Sequence, residues 1–193
     1  MTILGTIASA ITGNLYSDPG AMFPLQTITV SATSVSSVTF SNIPQDYAHL
    51  QIRALSRCTH TGAGFSGNYY YANSDTTGTN YAWHRMVGDG SSASSYGEAN
   101  ANAGGGQVSA TDGLSANIYA ASITDIADYS KTNKFKTFKT LTGGDNNGSL
   151  GVFIFYTLLW KNTNAITSIT MQAAQGNIMQ YSEFSLYGIK AAA

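Results

Sequence analysis

The side chains able to do chemistry are few, and their spacing argues against a catalytic centre. His49, His60 and His84 are scattered. His49 and His84 fall in expected strands and His60 in a loop, without the close ligand pairs of a zinc site. Asp125 and Asp128 are three apart, and on a strand such carboxylates point to opposite faces. A hydrogen-bonding role at a turn or strand end is therefore the plainer reading than shared acid–base work. Asp145-Asn146-Asn147-Gly148-Ser149 has part of a calcium loop but lacks the distal bidentate carboxylate, and Asn73-Ser74-Asp75 is weaker still. Loop calcium stays an open alternative. No nucleophile elbow, phosphate loop or dinucleotide fingerprint is present. Gly104-Gly105-Gly106 precedes no helix whose N-terminus would hold phosphate. The expectation is a non-enzyme with no catalytic residue, metal site or cofactor.

Aromatic residues are the other candidates. Tyr69, Tyr70, Tyr71, Tyr81, Trp83 and Tyr96 concentrate within residues 69–96. Of these, Tyr69, Tyr71, Tyr81, Trp83 and Tyr96 are candidate contacts to a glycan or a partner, since aromatic faces stack on sugar rings. The alternative is that alternate members fill a core while the rest cover a subunit interface.

The elements that must position these residues read as strands. Val38-Thr39-Phe40 is a short β-type run and Asn42 to Asp46 a Pro-containing turn. Tyr47 to Arg57 then alternates, with Leu50, Ile52 and Ala54 on one face and His49, Gln51, Arg53, Leu55 and Arg57 on the other. Tyr69 to Tyr71, Tyr81 to Val87, Phe135 to Leu141, Ile166 to Met171 and Phe184 to Ile189 follow as further strands. Phe135 to Leu141 carries a basic edge of Lys134, Lys136 and Lys139. Val152 to Trp160 is almost continuously apolar and is expected to be a central strand buried on both faces. Gly143 to Gly148 is a turn signal. Gly88 to Gly113, rich in Gly, Ser, Ala and Asn, reads as a long loop. The fold class is all-β: an antiparallel β-sandwich, jelly-roll or lectin-like, of about nine to eleven strands. Residues 1–24 are expected to form an N-terminal arm or attachment segment, with a first strand of the same domain as the alternative. Residues 25–193 form one sandwich domain.

Composition agrees. Only 10% of the 193 residues are charged, while Ser, Thr and Asn number 22, 22 and 14. The 12 Tyr, 8 Phe and 2 Trp supply the apolar area of a core. A net charge of −1 gives no field to steer nucleic acid or an anionic membrane. The single Cys58 excludes an internal disulfide. The start of the chain lacks the basic residues of a signal peptide, and no run is long enough for a membrane helix.

Longer stretches carry a family likeness: Ser37-Val38-Thr39-Phe40-Ser41-Asn42-Ile43-Pro44, Tyr47-Ala48-His49-Leu50-Gln51-Ile52-Arg53, Tyr81-Ala82-Trp83-His84, Trp160-Lys161-Asn162-Thr163-Asn164-Ala165-Ile166, and Phe184-Ser185-Leu186-Tyr187-Gly188-Ile189-Lys190. With Leu4-Gly5-Thr6-Ile7 and several shorter matches in order, the chain resembles small virion structural proteins of tailed bacteriophages over nearly its whole length. That resemblance implies a β-sandwich displayed on the particle, as a capsid decoration or cement protein or as a tail-fibre or head-fibre module recognising host surface glycans. It implies a virion location and partners that are copies of itself, as a homotrimer, and the major capsid protein. It supplies no catalytic residues. Arg53 and Arg57, on the polar face of their strand, are the candidate subunit contacts.

Overall fold

Alternating small polar and aromatic or β-branched residues make strands of almost every segment between turns. The computed structural model of the chain describes residues 21–101 and 104–191. It is an all-β, sandwich-like fold dominated by antiparallel pairing. In chain order the strands are β1 (Met22–Thr29), β2 (Ser34–Val35), β3 (Ser37–Phe40), β4 (His49–Cys58), β5 (Phe65–Ala72), β6 (Tyr81–Gly88), β7 (Ala93–Glu98), β8 (Gly104–Thr111), β9 (Ala120–Ala127), β10 (Lys136–Asp145), β11 (Gly151–Trp160), β12 (Ile169–Ala173), β13 (Ile178–Met179) and β14 (Glu183–Ile189). The count exceeds the expected nine to eleven because β2 and β13 are two-residue pairings and because β7 and β8 replace a loop.

The larger layer runs β1-β14-β4-β9-β10-β11-β6-β7, antiparallel throughout. The second runs β3-β12-β5-β8. The Ser37–Arg57 corner joins them: β3 pairs in the second layer and β4 in the first. The far end of β4 also pairs in parallel with β8, Arg57 against Ala110. Ile43 is buried in the corner, Gln45 Nε2 donates to Ile43 O and Ile166 O, and the Tyr129 hydroxyl donates to Pro44 O. Phe40, Leu50, Ile52, Ile126, Phe138, Trp160, Met171 and Phe184 form the core between the layers.

Four expectations need correction. Residues 88–113 are not a loop but hold β7 and β8. Small residues with low strand propensity become strands there through tertiary pairing, β7 on β6 and β8 on β5. Gly106 serves close approach: a Cβ there would sit 3.1 Å from the Tyr70 ring. Met22 to Pro24 are edge-strand residues paired with β14, not part of an arm, and residues 1–20 of the expected arm lie outside the described residues. Lys136 is not on a basic edge; it is buried, and its Nζ donates to Lys134 O and Thr163 O. Burial holds its ammonium pKa below the usual lysine value. Finally, Val152 to Trp160 is central but covered on one face only.

The uncovered face has a physical origin. β8 packs across β9, β10 and β11 with backbone groups that need partners. Val108 N donates to Thr142 Oγ1, and Ser56 Oγ donates to Val108 O. Tyr70 Oη, Thr124 Oγ1 and Thr140 Oγ1 form a buried hydrogen-bonded chain at 2.8 Å per link. The interior faces of β9 and β10 therefore carry Thr124, Thr140 and Thr142, with Ser122 buried beside them, its hydroxyl without a partner. Alternation then turns Ile123 and Leu141 to the outside.

Candidate functional site

The outer face of the larger layer is apolar across its middle. Register aligns Ile123 of β9 with Leu141 of β10, Leu141 with Phe155 of β11, and Phe155 with Met86 of β6. Phe153 and Leu55 lie in the adjoining row. Phe153 is 60% exposed, Met86 64% and Phe155 44%, so this stripe is open in the single chain. Contiguous apolar surface of this kind is uncommon on monomeric proteins. A groove of about 530 Å³, lined by His84, Met86, Phe155 and Thr157, indents one end of it. Arg53, Asp125 and Lys139 stand at its border: Arg53 pairs in register with Ile123, and Asp125 with Lys139. Gln51 Nε2 donates to Asp125 Oδ1, and Arg53 Nε to Gln51 Oε1.

A second feature lies between the layers, beside β8. It is a cleft of about 410 Å³ whose walls include Phe65 and Tyr69 of β5, Trp83 and Arg85 of β6, Glu98 of β7 and Tyr156 of β11. The β6–β7 register sets Trp83 opposite Glu98 and Arg85 opposite Tyr96. Arg85 therefore stacks its guanidinium over two rings, 5.3 Å from the centroid of Trp83 and 4.9 Å from that of Tyr96. Its Nε is buried without a hydrogen-bond partner, and among the described residues it has no ion pair. Trp83 also packs on Tyr156, with ring centroids 5.4 Å apart. Burial pushes the Tyr156 phenol pKa up; the charge of Arg85 opposes that and the charge of Glu98 adds to it.

The residues singled out in the sequence divide accordingly. Tyr69 and Trp83 meet in the cleft. Tyr71 packs on Tyr69 at 6.3 Å but does not line the cleft. Tyr96 is half exposed and lids Arg85. Tyr81 is no surface contact: it is fully buried, donating to Asp75 O and accepting from Ala72 N. Arg57 is likewise no subunit contact. It is 5% exposed beneath the segment after β8, its guanidinium donating to the carbonyls of Leu114, Ser115 and Ile118 and to Asp112. Arg53 stays exposed on the outer face.

No protein-family model matches the chain, and no curated protein matches it. Among solved structures it is similar to a crystal structure of a protein of unknown function from Shewanella oneidensis MR-1, at 10% identity and a TM-score of 0.23, over 90% of this chain and 78% of that one. A likeness that weak says nothing of function, which must be read from geometry.

The acidic residues of the loops and turns have structural partners. Asp128, at a positive φ of 51°, accepts from Lys134 Nζ at 2.8 Å, which holds its carboxyl pKa below the ordinary value. Asp75 accepts from Trp160 Nε1 and Asn80 Nδ2 through one oxygen and from Thr77 N through the other. Burial alone would raise its pKa, but those hydrogen bonds win and lower it. Asp145 caps the β10–β11 turn through Gly148 N, and Asn147 and Gly148 take the positive φ that the turn needs. Among the described residues no three His, Cys, Asp or Glu side chains gather as metal ligands.

Sequence reasoning missed Arg85, Glu98 and Tyr156, because only the hairpin register and the layer packing bring them to Tyr69 and Trp83. It also missed the outer stripe. The signal was present in Val152 to Trp160, apolar at both alternating sets of positions.

Proposed function

We propose that this chain is a non-enzymatic structural protein of a tailed-phage virion, a capsid decoration or cement protein, which assembles with copies of itself through the outer face of the larger layer. The observation that carries the reading is the stripe Ile123–Leu141–Phe155–Met86: a central strand apolar on both faces with one face uncovered. The resemblance of the sequence to phage virion proteins supplies the setting. A second copy suits the face in size. Eight strands at about 4.8 Å spacing and about 25 Å long give roughly 900 Å², against the ~800 Å² per partner of a stable interface. It suits the face in charge as well. The border carries both signs, Arg53 and Lys139 beside Asp125, so a self-complementary pairing can set each against its opposite. A net charge of −1 keeps many copies from repelling one another.

Particles stripped of the protein and challenged with heat or low salt test the decoration role. Their heads are expected to lose stability and to regain it when the protein is added back. Heads that keep full stability, with host adsorption alone impaired, would rule that role out. A second reading, a receptor-binding fibre module for host surface glycans, is favoured by one observation, the aromatic cleft between the layers.

A further inference from the structure

We propose that the cleft between the layers binds a neutral pyranose ring, seated against Trp83 and Tyr156 with its hydroxyls between Arg85 and Glu98. This deepens the second reading by naming the ligand class, and it is independent of the assembly face. Four observations converge. The volume, about 410 Å³, is in the range of small-ligand sites. Phe65, Tyr69, Trp83 and Tyr156 provide the apolar walls that the C–H faces of a sugar ring pack against. Arg85 presents a buried Nε–H with nothing to donate to, which a bound acceptor would satisfy. Glu98 is diagonal to Arg85 across the β6–β7 pair, without an ion pair joining them. A stacked donor with a carboxylate acceptor diagonal to it suits neighbouring hydroxyls, each of which both donates and accepts.

Other ligand classes fit less well. A purely apolar ligand would leave the Arg85 Nε unpaired. A carboxylate-bearing sugar would meet the charge of Glu98. A nucleic acid needs a track of cations for its phosphates, and this cleft has one arginine beside a carboxylate. Arg85 is already oriented by its stacking on Trp83 and Tyr96, so little side-chain freedom remains to be lost on binding.

Trp83 lines the cleft while Trp160 is buried, so tryptophan fluorescence of the full chain reports on the site. Titration with glucose, galactose, mannose and glucuronic acid is the experiment, repeated with Arg85→Gln and Glu98→Gln. At least one neutral hexose is expected to bind in the millimolar range, with glucuronic acid weaker. Each variant is expected to weaken binding about tenfold, the size of one lost charge-assisted hydrogen bond. Binding of glucuronic acid alone would overturn the ligand class while leaving a glycan-binding role standing. Absence of binding by all four sugars, or binding that both variants leave unchanged, would overturn the site itself.

Discussion

Replacing Phe155 by glutamate is expected to dissociate the assembled protein into folded monomers. Phe155 sits mid-stripe, with Leu141 on one side and Met86 on the other. A carboxylate there would be buried without a partner in every contact between copies. Central aromatic positions of interfaces contribute roughly 2–4 kcal/mol, so the dissociation constant should rise by about 30- to 1,000-fold. The fold itself should survive, because the side chain is half exposed in the single chain and its backbone pairing is unaffected. Sedimentation velocity gives the mass, and circular dichroism the retained strand content. Thr39→Glu, on an exposed position of the second layer, is the control and should leave the mass unchanged. A Phe155→Glu protein with the wild-type mass would remove the stripe from the account.

Arg57→Ala is expected to destabilise the domain as much as truncating one of the core residues of β4. The guanidinium contacts three backbone carbonyls at 2.9–3.1 Å, together with Asp112 Oδ1 at 3.2 Å. The Asp112 carboxylate is partly exposed, so the ion pair itself contributes little. The weight lies in the carbonyls, that of Leu114 buried and those of Ser115 and Ile118 partly so, which alanine would leave without this donor. The loss should be about 3–5 kcal/mol, lowering the melting temperature by roughly 10 °C or more for a domain of this size. Lysine should restore little, since its ammonium cannot reach carbonyls spread over Leu114 to Ile118. Amide exchange should quicken first in residues 112–118. A melting temperature within a degree or two of wild type would show that the segment is held by something else.

Arg57 also shows where sequence reading stopped. The alternation of β4 was legible: Leu50, Ile52 and Ala54 face inward and Arg53 and Leu55 outward. Position 57 keeps to the outward frame, yet a segment some 55 residues later folds over it, and no local pattern announces that. Tyr81 differs in the same way, its hydroxyl drawn inward by the backbone of Ala72 and Asp75. Residues 88–113 were misread because glycine and serine signal loops when neighbours are unknown. Here Gly106 lets β8 approach the Tyr70 ring and the Thr140 hydroxyl. The same approach explains the outer stripe. Thr142, turned inward to β8, and Thr124 and Thr140, turned inward to Tyr70, leave Ile123 and Leu141 turned outward, an inversion that hydropathy alone cannot locate. The corner at Ile43 and Pro44 was legible because its turn chemistry and alternation are both local.

The stripe carries a natural probe of its own covering. Met86 is exposed on it in the single chain, whereas Met171 is wholly buried in the core. Mild peroxide oxidation of the wild-type protein at assembling concentrations, followed residue by residue by mass spectrometry, reads the solvent access of each. If copies cover this face, Met86 should be protected nearly as well as Met171, and dilution or Phe155→Glu should expose it. Oxidation of Met86 at the same fast rate in wild type and in the Phe155→Glu protein would contradict the account.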